Sequence, residues 1–189
     1  AARGESWSFT YRCAGPGRPV GCRCSTAGHV WGGIGRWRGG PEHKERLSVA
    51  APLCVMKALG SSKFVCAAHA SMVLMPQFDA RKYIEAIGRF GVTWLTSVPT
   101  MLAMAMREQE TLTAPDLTRI RYVRMGSAPT TQTLNDRIKR TFPNAVMSHD
   151  SRHTEPAPVQ HVPAHEAEAN SAMTVVWPHP HDEIREHVH

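Results

Sequence analysis

Between residues 47 and 147 the apolar positions come in two textures that alternate: short β-prone runs, and longer stretches with apolar residues three or four apart. Short apolar runs fit strands and three-to-four spacing fits one face of a helix, so the alternation predicts βαβ units and a mainly parallel sheet. Residues 47–53 predict a buried strand bounded by Pro52, residues 56–70 a helix, and residues 71–75 a second strand. Asp79 suits an N-cap, Tyr83, Ile84, Ile87 and Phe90 then recur at helical spacing, and Gly91 offers a stop before a strand over residues 92–98. Pro99 suits the first turn of a helix through Met106. After a turn near Pro115 and Asp116, residues 120–125 read as a strand that Gly126 ends abruptly. Residues 131–142 put Leu134, Ile138 and Phe142 on one helical face, and residues 145–147 begin a further short strand.

The flanks differ from this centre. Residues 1–46 are dense in Gly, Arg and Trp, show no sustained period of 2 or 3.6, and read as loops. From residue 148 to residue 189 the chain is rich in His, Pro, Ala and Glu and reads as loosely ordered. Three zones follow: an irregular segment over 1–46, an α/β core over 47–147, and a His/Pro-rich segment over 148–189. At 189 residues and 42% apolar content the chain can bury one core of ordinary size.

Charge narrows the partners. Lys and Arg number 22 against 16 Asp and Glu, a net charge of +6 that favours anionic ligands. The arginines are scattered without the aromatic interleaving of a single-strand nucleic-acid groove, which argues against a dedicated nucleic-acid binder. No apolar segment approaches the ~18 residues of a membrane span, and no signal-peptide pattern opens the chain. The cysteines are Cys13, Cys22, Cys24, Cys54 and Cys66, an odd count, with Cys54 and Cys66 in apolar stretches that suit reduced thiols. A reducing compartment, the cytoplasm, is the expectation. The first residue is not Met, which fits a fragment or a processed product.

The chemistry concentrates at turns. A strand that stops at a small glycine-containing turn before a helix presents backbone N–H groups at the carboxyl end of a parallel sheet, where ligands bind in open α/β folds. Gly126, Ser127, Ala128 and Pro129 occupy such a position; taken as a tetrapeptide alone, they also fit a simple tight connection. Cys22, Cys24 and His29 with Cys13 do not have a usual zinc spacing, the terminal histidines suit opportunistic metal binding, and Met101, Met104 and Met106 read as core packing. No G-x-S-x-G turn precedes a helix, so a hydrolase triad has no anchor.

The stretch RYVRMGSAP at residues 121–129, following VTWLTSVPTMLAM at 92–104, resembles the adenine-side segment of the AMP-forming acyl-adenylate synthetases, the family of acyl-CoA synthetases, luciferases and peptide-synthetase adenylation domains. The resemblance implies that Gly126, Ser127, Ala128 and Pro129 lie against an adenine ring. AAPLCVMKALG at 50–60 is similar to the family segment A-A-P-L-F-H-M-x-A-L-G, whose aromatic and His border the acyl pocket; Cys54 and Val55 stand there in this chain. YRCAGPGRPVG at 11–21 aligns with the phosphate loop Y-T-S-G-S-T-G-R-P-K-G, matching it at Tyr11, Gly17, Arg18, Pro19 and Gly21. Arg12, Cys13, Gly15, Pro16 and Val20 replace most of the other groups. Pro16 removes a backbone donor and Val20 the family's cation, which weakens phosphate binding by several kcal/mol at ~1.5–3 kcal/mol per charge-assisted bond, while Arg12 restores some charge. The same loop also reads as a surface loop without ligand.

SRHTEPAP at 151–158 is similar to the family's Y-G-T-T-E-A-G-P motif, with Thr154 and Glu155 in register as the groups meeting phosphates and Mg²⁺; Glu155 is the metal candidate. WPHP at 177–180 is similar to a G-W-P-x-P stretch. The fold implied is a segment of the large N-terminal domain of an adenylate-forming enzyme; the ligands implied are ATP or AMP, Mg²⁺, a small carboxylic acid and coenzyme A, with fatty acid metabolism as a setting. The family continues with a ribose-binding aspartate, a hinge and a small lysine-bearing domain, and this chain ends before them. Two functions stay open: a ligase segment inactive alone, or a decayed remnant that binds nucleotide weakly or not at all.

Overall fold

The structure is a computed structural model that describes residues 5–12, 18–34, 41–113 and 115–150. Its centre is a five-stranded parallel sheet in the order β4-β3-β5-β6-β7, built from β3 (Arg46–Val49), β4 (Ser71–Leu74), β5 (Trp94–Ser97), β6 (Tyr122–Gly126) and β7 (Val146–Asp150). Parallel neighbours need crossovers, and α2 (Met56–Ala67), α3 (Ala80–Phe90), α4 (Pro99–Ala105) with the single-turn α5 (Gln109–Leu112), and α6 (Gln132–Thr141) provide them. The expected α/β architecture is thus present.

Strand alternation divides the core in two. Leu95, Val123 and Met125 point to one face and join Tyr83, Ile84 and Ile87 of α3, Leu102 of α4, and Ile138 and Phe142 of α6 and its end. Leu47 and Val49 point to the other and meet Ala58, Phe64 and Val65 of α2, with Phe64 and Trp94 ring centroids 5.3 Å apart. The buried Tyr83 phenol lies 2.6 Å from Ser97 Oγ; burial pushes its pKa up to about 12, with hydrogen bonding to serine hydroxyls pulling the other way.

Most of the helix punctuation matches its expected positions. Asp79 Oδ1 accepts from Lys82 N at 2.9 Å, Gly91 takes the left-handed conformation at φ 60°, and Pro99 opens α4; Thr131, expected as the first residue of the next helix, instead caps it, its Oγ1 accepting from Leu134 N at 3.3 Å. Most strands are shorter than the runs that announced them: β3 stops at Val49, before Pro52, because its ladder partners end at Leu74 and Thr96. Helix α2 stops at Ala67 and not at residue 70, because His69 turns left-handed at φ 53° and the amides of His69 and Ala70 return to the carbonyls of Cys66 and Val65. Phe90 and Met104 fall outside the core, 41% and 50% exposed, whereas Met106 is buried.

The expectation of loops before residue 46 is corrected by an antiparallel hairpin and a helix. Strand β1 (Ser6–Arg12) pairs with β2 (Val20–Ser25), placing Thr10 opposite Cys22 and Tyr11 opposite Gly21, and α1 (Thr26–Ile34) follows. A short period-two signal underlies it: Cys22 and Cys24 alternate inward while Phe9 and Tyr11 alternate outward. Helix α1 holds three glycines, each ~1 kcal/mol worse than Ala in a helix, so it leans on packing against α2 and on Ser25 Oγ, which accepts from Gly28 N at 3.1 Å. The inward thiols are therefore Cys22 and Cys24, and the two expected in apolar surroundings, Cys54 and Cys66, are exposed.

Candidate functional site at the carboxyl edge of the sheet

The strand order carries the location. From β3 the chain crosses to β4 on one side, then returns past β3 to β5 and proceeds to β6 and β7 on the other. The connections leaving β3 and β5 therefore diverge, and in an open parallel sheet such a switch point forms a crevice beyond the carboxyl ends of the strands. The segments that exit there are residues 50–55 after β3, Val98 after β5, and residues 127–131 after β6.

The exit from β6 is anchored at both ends and open in the middle. Gly126 is buried as the last residue of β6; Ser127, Ala128 and Pro129 are exposed; Thr130 is buried, with its Oγ1 3.2 Å from Asn135 Oδ1. Thr131 then caps α6. Ser127 adopts φ 72°, the left-handed region that costs a side-chain-bearing residue about 1–2 kcal/mol, and the anchors on either side hold it there. The turn therefore projects three consecutive residues above the strand ends.

The exit from β3 is a tight turn, with Val55 N donating to Pro52 O at 2.9 Å. Leu53, Cys54 and Val55 are exposed, and Val55 starts α2 without a side-chain cap. Immediately afterwards the chain buries Lys57, 6% exposed, in the first turn of α2. Neither Lys57, inside the predicted helix over 56–70, nor the buried Thr96, inside the predicted strand over 92–98, stands out in the sequence, because spacing alone does not reveal that a lysine or a threonine is buried.

Of the phosphate-loop candidates, Tyr11 and Gly21 meet across the hairpin, where a Cβ added to Gly21 would lie 3.3 Å from Tyr11 Cε1, and Arg12 pairs with Val20. Arg18, Pro19 and Val20 are exposed. The hairpin is tied to the core through His29 of α1, whose Nε2 is 3.0 Å from Ser8 Oγ and whose Nδ1 meets the Lys63 ammonium on α2. Burial, and then the Lys63 charge, lower the His29 pKa, which keeps the ring neutral. Cys13, Gly17, Thr154 and Glu155, and with them the metal candidate, lie outside the described residues. Among the described residues no cluster of three or more His, Cys, Asp or Glu could hold a metal ion. No helix there is long and apolar enough to cross a membrane.

A family model described as AMP-binding enzyme matches residues 17–185. 4-Coumarate–CoA ligase 5 of Oryza sativa subsp. japonica is 36% identical over 92 residues, 49% of this chain and 17% of that protein. 4-Coumarate–CoA ligase 1 of Arabidopsis thaliana is 34% identical over 90 residues, 48% of this chain and 16% of that protein. The chain thus spans about a sixth of the length of these relatives. Among solved structures, the inhibitor-bound N-terminal domain of FACL13 from Mycobacterium tuberculosis has TM-score 0.67 at 23% identity, covering 77% of this chain and 36% of its own. O-succinylbenzoate coenzyme A synthetase from Bacillus subtilis in complex with AMP has TM-score 0.70 at 21% identity, covering 84% of this chain and 40% of its own. A parallel sheet with an open switch point and a matched span of that extent lead to one conclusion: the chain belongs to the AMP-binding enzyme family and carries part of its acyl-adenylate synthetase fold.

Proposed function

We propose that this chain is the nucleotide-binding segment of an acyl-adenylate-forming ligase, with Gly126, Ser127, Ala128 and Pro129 against the adenine of ATP or AMP. The observation that carries the reading is the exposed turn after β6, held open between buried Gly126 and Thr130 beside the switch point. In such a ligase a carboxylate oxygen attacks the α-phosphorus of ATP; the new P–O bond forms as the bond to pyrophosphate breaks, giving an acyl-adenylate. Positioning and charge neutralisation carry that step more than acid–base groups do.

The acid enters beside Cys54 and Val55, and the phosphates lie toward residues 11–21 with Thr154. Magnesium is assigned to Glu155 together with phosphate oxygens, and coenzyme A is the acceptor suggested by the names of the relatives. A cytoplasmic setting accords with the exposed, unbridged thiols of Cys54 and Cys66. Turnover by the chain alone is absent in this reading, because exposed Val20 stands where the family pattern has the phosphate-neutralising Lys.

ATP–pyrophosphate exchange with a panel of carboxylic acids, run beside calorimetry with AMP, tests both halves. The expected result is AMP binding without exchange by the unaltered chain, and tighter ATP binding by a Val20→Lys, Cys13→Ser, Pro16→Thr variant. Exchange by the unaltered chain would overturn the inactive-segment reading. The second reading, a decayed remnant, is favoured by the same Val20; absence of AMP binding by both chains would establish it.

A further inference from the structure

We infer that Lys57 selects the acid: it places a buried cation beside the carboxyl-edge crevice and directs the site toward carboxylic acids that carry a second carboxylate. The inference rests on the reading of that crevice as the acyl site. Three independent features converge there.

The first is the helix. Lys57 sits in the opening turn of the 12-residue α2, whose first amides have no helical partners and whose dipole favours negative charge. Val55 provides no side-chain cap, so these amides are not closed off by a carboxylate or hydroxyl at the cap position.

The second is phase. Lys57 and Phe64 are seven residues apart, nearly two whole turns, which puts them on the same side of α2. Phe64 faces Trp94 on β5. Lys57 therefore faces the sheet as well, about 10 Å farther toward the carboxyl edge at 1.5 Å per residue. Ser61, between them on that side, is fastened by its hydroxyl to Lys57 O at 2.8 Å.

The third is Thr96. It pairs with Val49, whose side chain belongs to the α2 cluster, so Thr96 also points to the α2 side. It is 3% exposed, and its Oγ1 has no hydrogen-bond partner among the described residues. Two residues up the strand from Trp94, it stands about 7 Å closer to the carboxyl edge and below Lys57. An unmatched buried hydroxyl costs about 1–3 kcal/mol, and an incoming carboxylate oxygen would accept its proton. Arg124 neighbours Thr96 across the β5–β6 ladder and adds a second cation on this side.

Lys57 and Arg124 both already interact within the chain, so the second carboxylate joins or replaces an existing contact. What they exclude is an acid with a purely apolar tail, because that tail would bury against a cation. Of two anions that could answer this chemistry, a nucleotide phosphate or a substrate carboxylate, the position two residues after Val55 favours the carboxylate, since Cys54 and Val55 border the acyl side.

The test is calorimetry of the full chain with adipate, hexanoate and AMP, on the unaltered chain and on Lys57→Met and Lys57→Arg, each checked by circular dichroism. The expected result is adipate binding at least tenfold tighter than hexanoate, loss of that preference in Lys57→Met, and its retention in Lys57→Arg. Equal affinities in the unaltered chain, or a preference that survives Lys57→Met, overturn the inference. If neither acid binds while AMP does, Lys57 is not a selector and the nucleotide reading stands. If no ligand binds, both fail together. Should Lys57→Met not fold, Lys57→Gln carries the same comparison.

Discussion

The two edges of the parallel sheet use their polar groups in opposite ways. At the amino edge, Glu45 is 2% exposed and takes Thr93 Oγ1 at 2.6 Å on one oxygen and the Arg121 guanidinium on the other. Arg46 N donates to Thr93 Oγ1 at 2.9 Å, Arg46 Nε to Ser71 Oγ at 3.1 Å, and the Arg46 guanidinium to Phe90 O. The starts of β3, β4, β5 and β6 are thereby cross-linked by side chains that satisfy one another. At the carboxyl edge Leu53, Cys54, Val55, Ser127, Ala128 and Pro129 are exposed, and Ser127 is held left-handed. One edge closes the fold and the other stays available to a ligand, the division expected when stability and binding occupy opposite ends of the same strands.

The sharpest way to break the comparison is at Glu45. Glu45→Ala removes the common acceptor of Thr93 and Arg121, and breaking a buried pair from one side costs about 3–5 kcal/mol. Arg121 is 49% exposed and can rehydrate, so the expected loss is near the lower figure, about 3 kcal/mol, read from urea denaturation at constant slope. AMP affinity measured below the new melting temperature should be unchanged. A loss under about 1 kcal/mol would mean that the amino edge does not hold the sheet.

The corresponding change at the carboxyl edge is smaller. Thr131→Ala deletes the hydroxyl that caps α6, at a cost of about 1 kcal/mol. Because Thr131 directly follows the exposed turn, AMP affinity should fall along with stability, in contrast to Glu45→Ala. An unaltered AMP affinity would separate the cap from the binding turn.

Legibility in the sequence follows the same division. Asp79, Gly91 and Pro99 were readable because caps and stops act through the local backbone. The hairpin before residue 46 was not, because strands of only six and seven residues, set in a segment dense in Gly and Arg, carry too brief a period to stand out. The far end of β7 was missed for another reason: Ser148, His149 and Asp150 are polar, and only the ladder to Arg124, Met125 and Gly126 draws them into the sheet. The Gly126 turn was visible as a motif, but its place beside a switch point needed the strand order. Lys57 and Thr96 were invisible, since burial of a lysine or a threonine depends on packing and not on spacing.

A weaker effect links the hairpin to the core through pH. The His29 pKa is lowered in the fold, first by burial and then by Lys63, so below 6.5 the unfolded chain binds the proton that the folded chain resists. Stability contributed by neutral His29 is therefore fully present above pH 6.5 and falls as pH drops from there through the folded value. Thermal melts from pH 7.5 to 5 should show this fall, and His29→Gln should flatten it. A His29→Gln chain with the same pH slope as the parent would assign the slope to other groups.

The smallest expected effect tests whether the carboxyl edge gives up stability to hold its turn open. Ser127→Gly relieves a left-handed strain of about 1–2 kcal/mol but frees an unfolded-state backbone worth about 0.5–1 kcal/mol, so the net gain should be about 0.5 kcal/mol. If the turn is held left-handed for binding, that gain is accompanied by weaker AMP affinity, because the glycine no longer favours a single presentation of the amides at residues 127 and 128 and the Ser127 hydroxyl is gone. Stability from urea denaturation and affinity from calorimetry should therefore move in opposite directions in this variant, whereas in Thr131→Ala they fall together. Both rising in Ser127→Gly would show the strain to be incidental to binding, and the open edge would then be only an unfinished one.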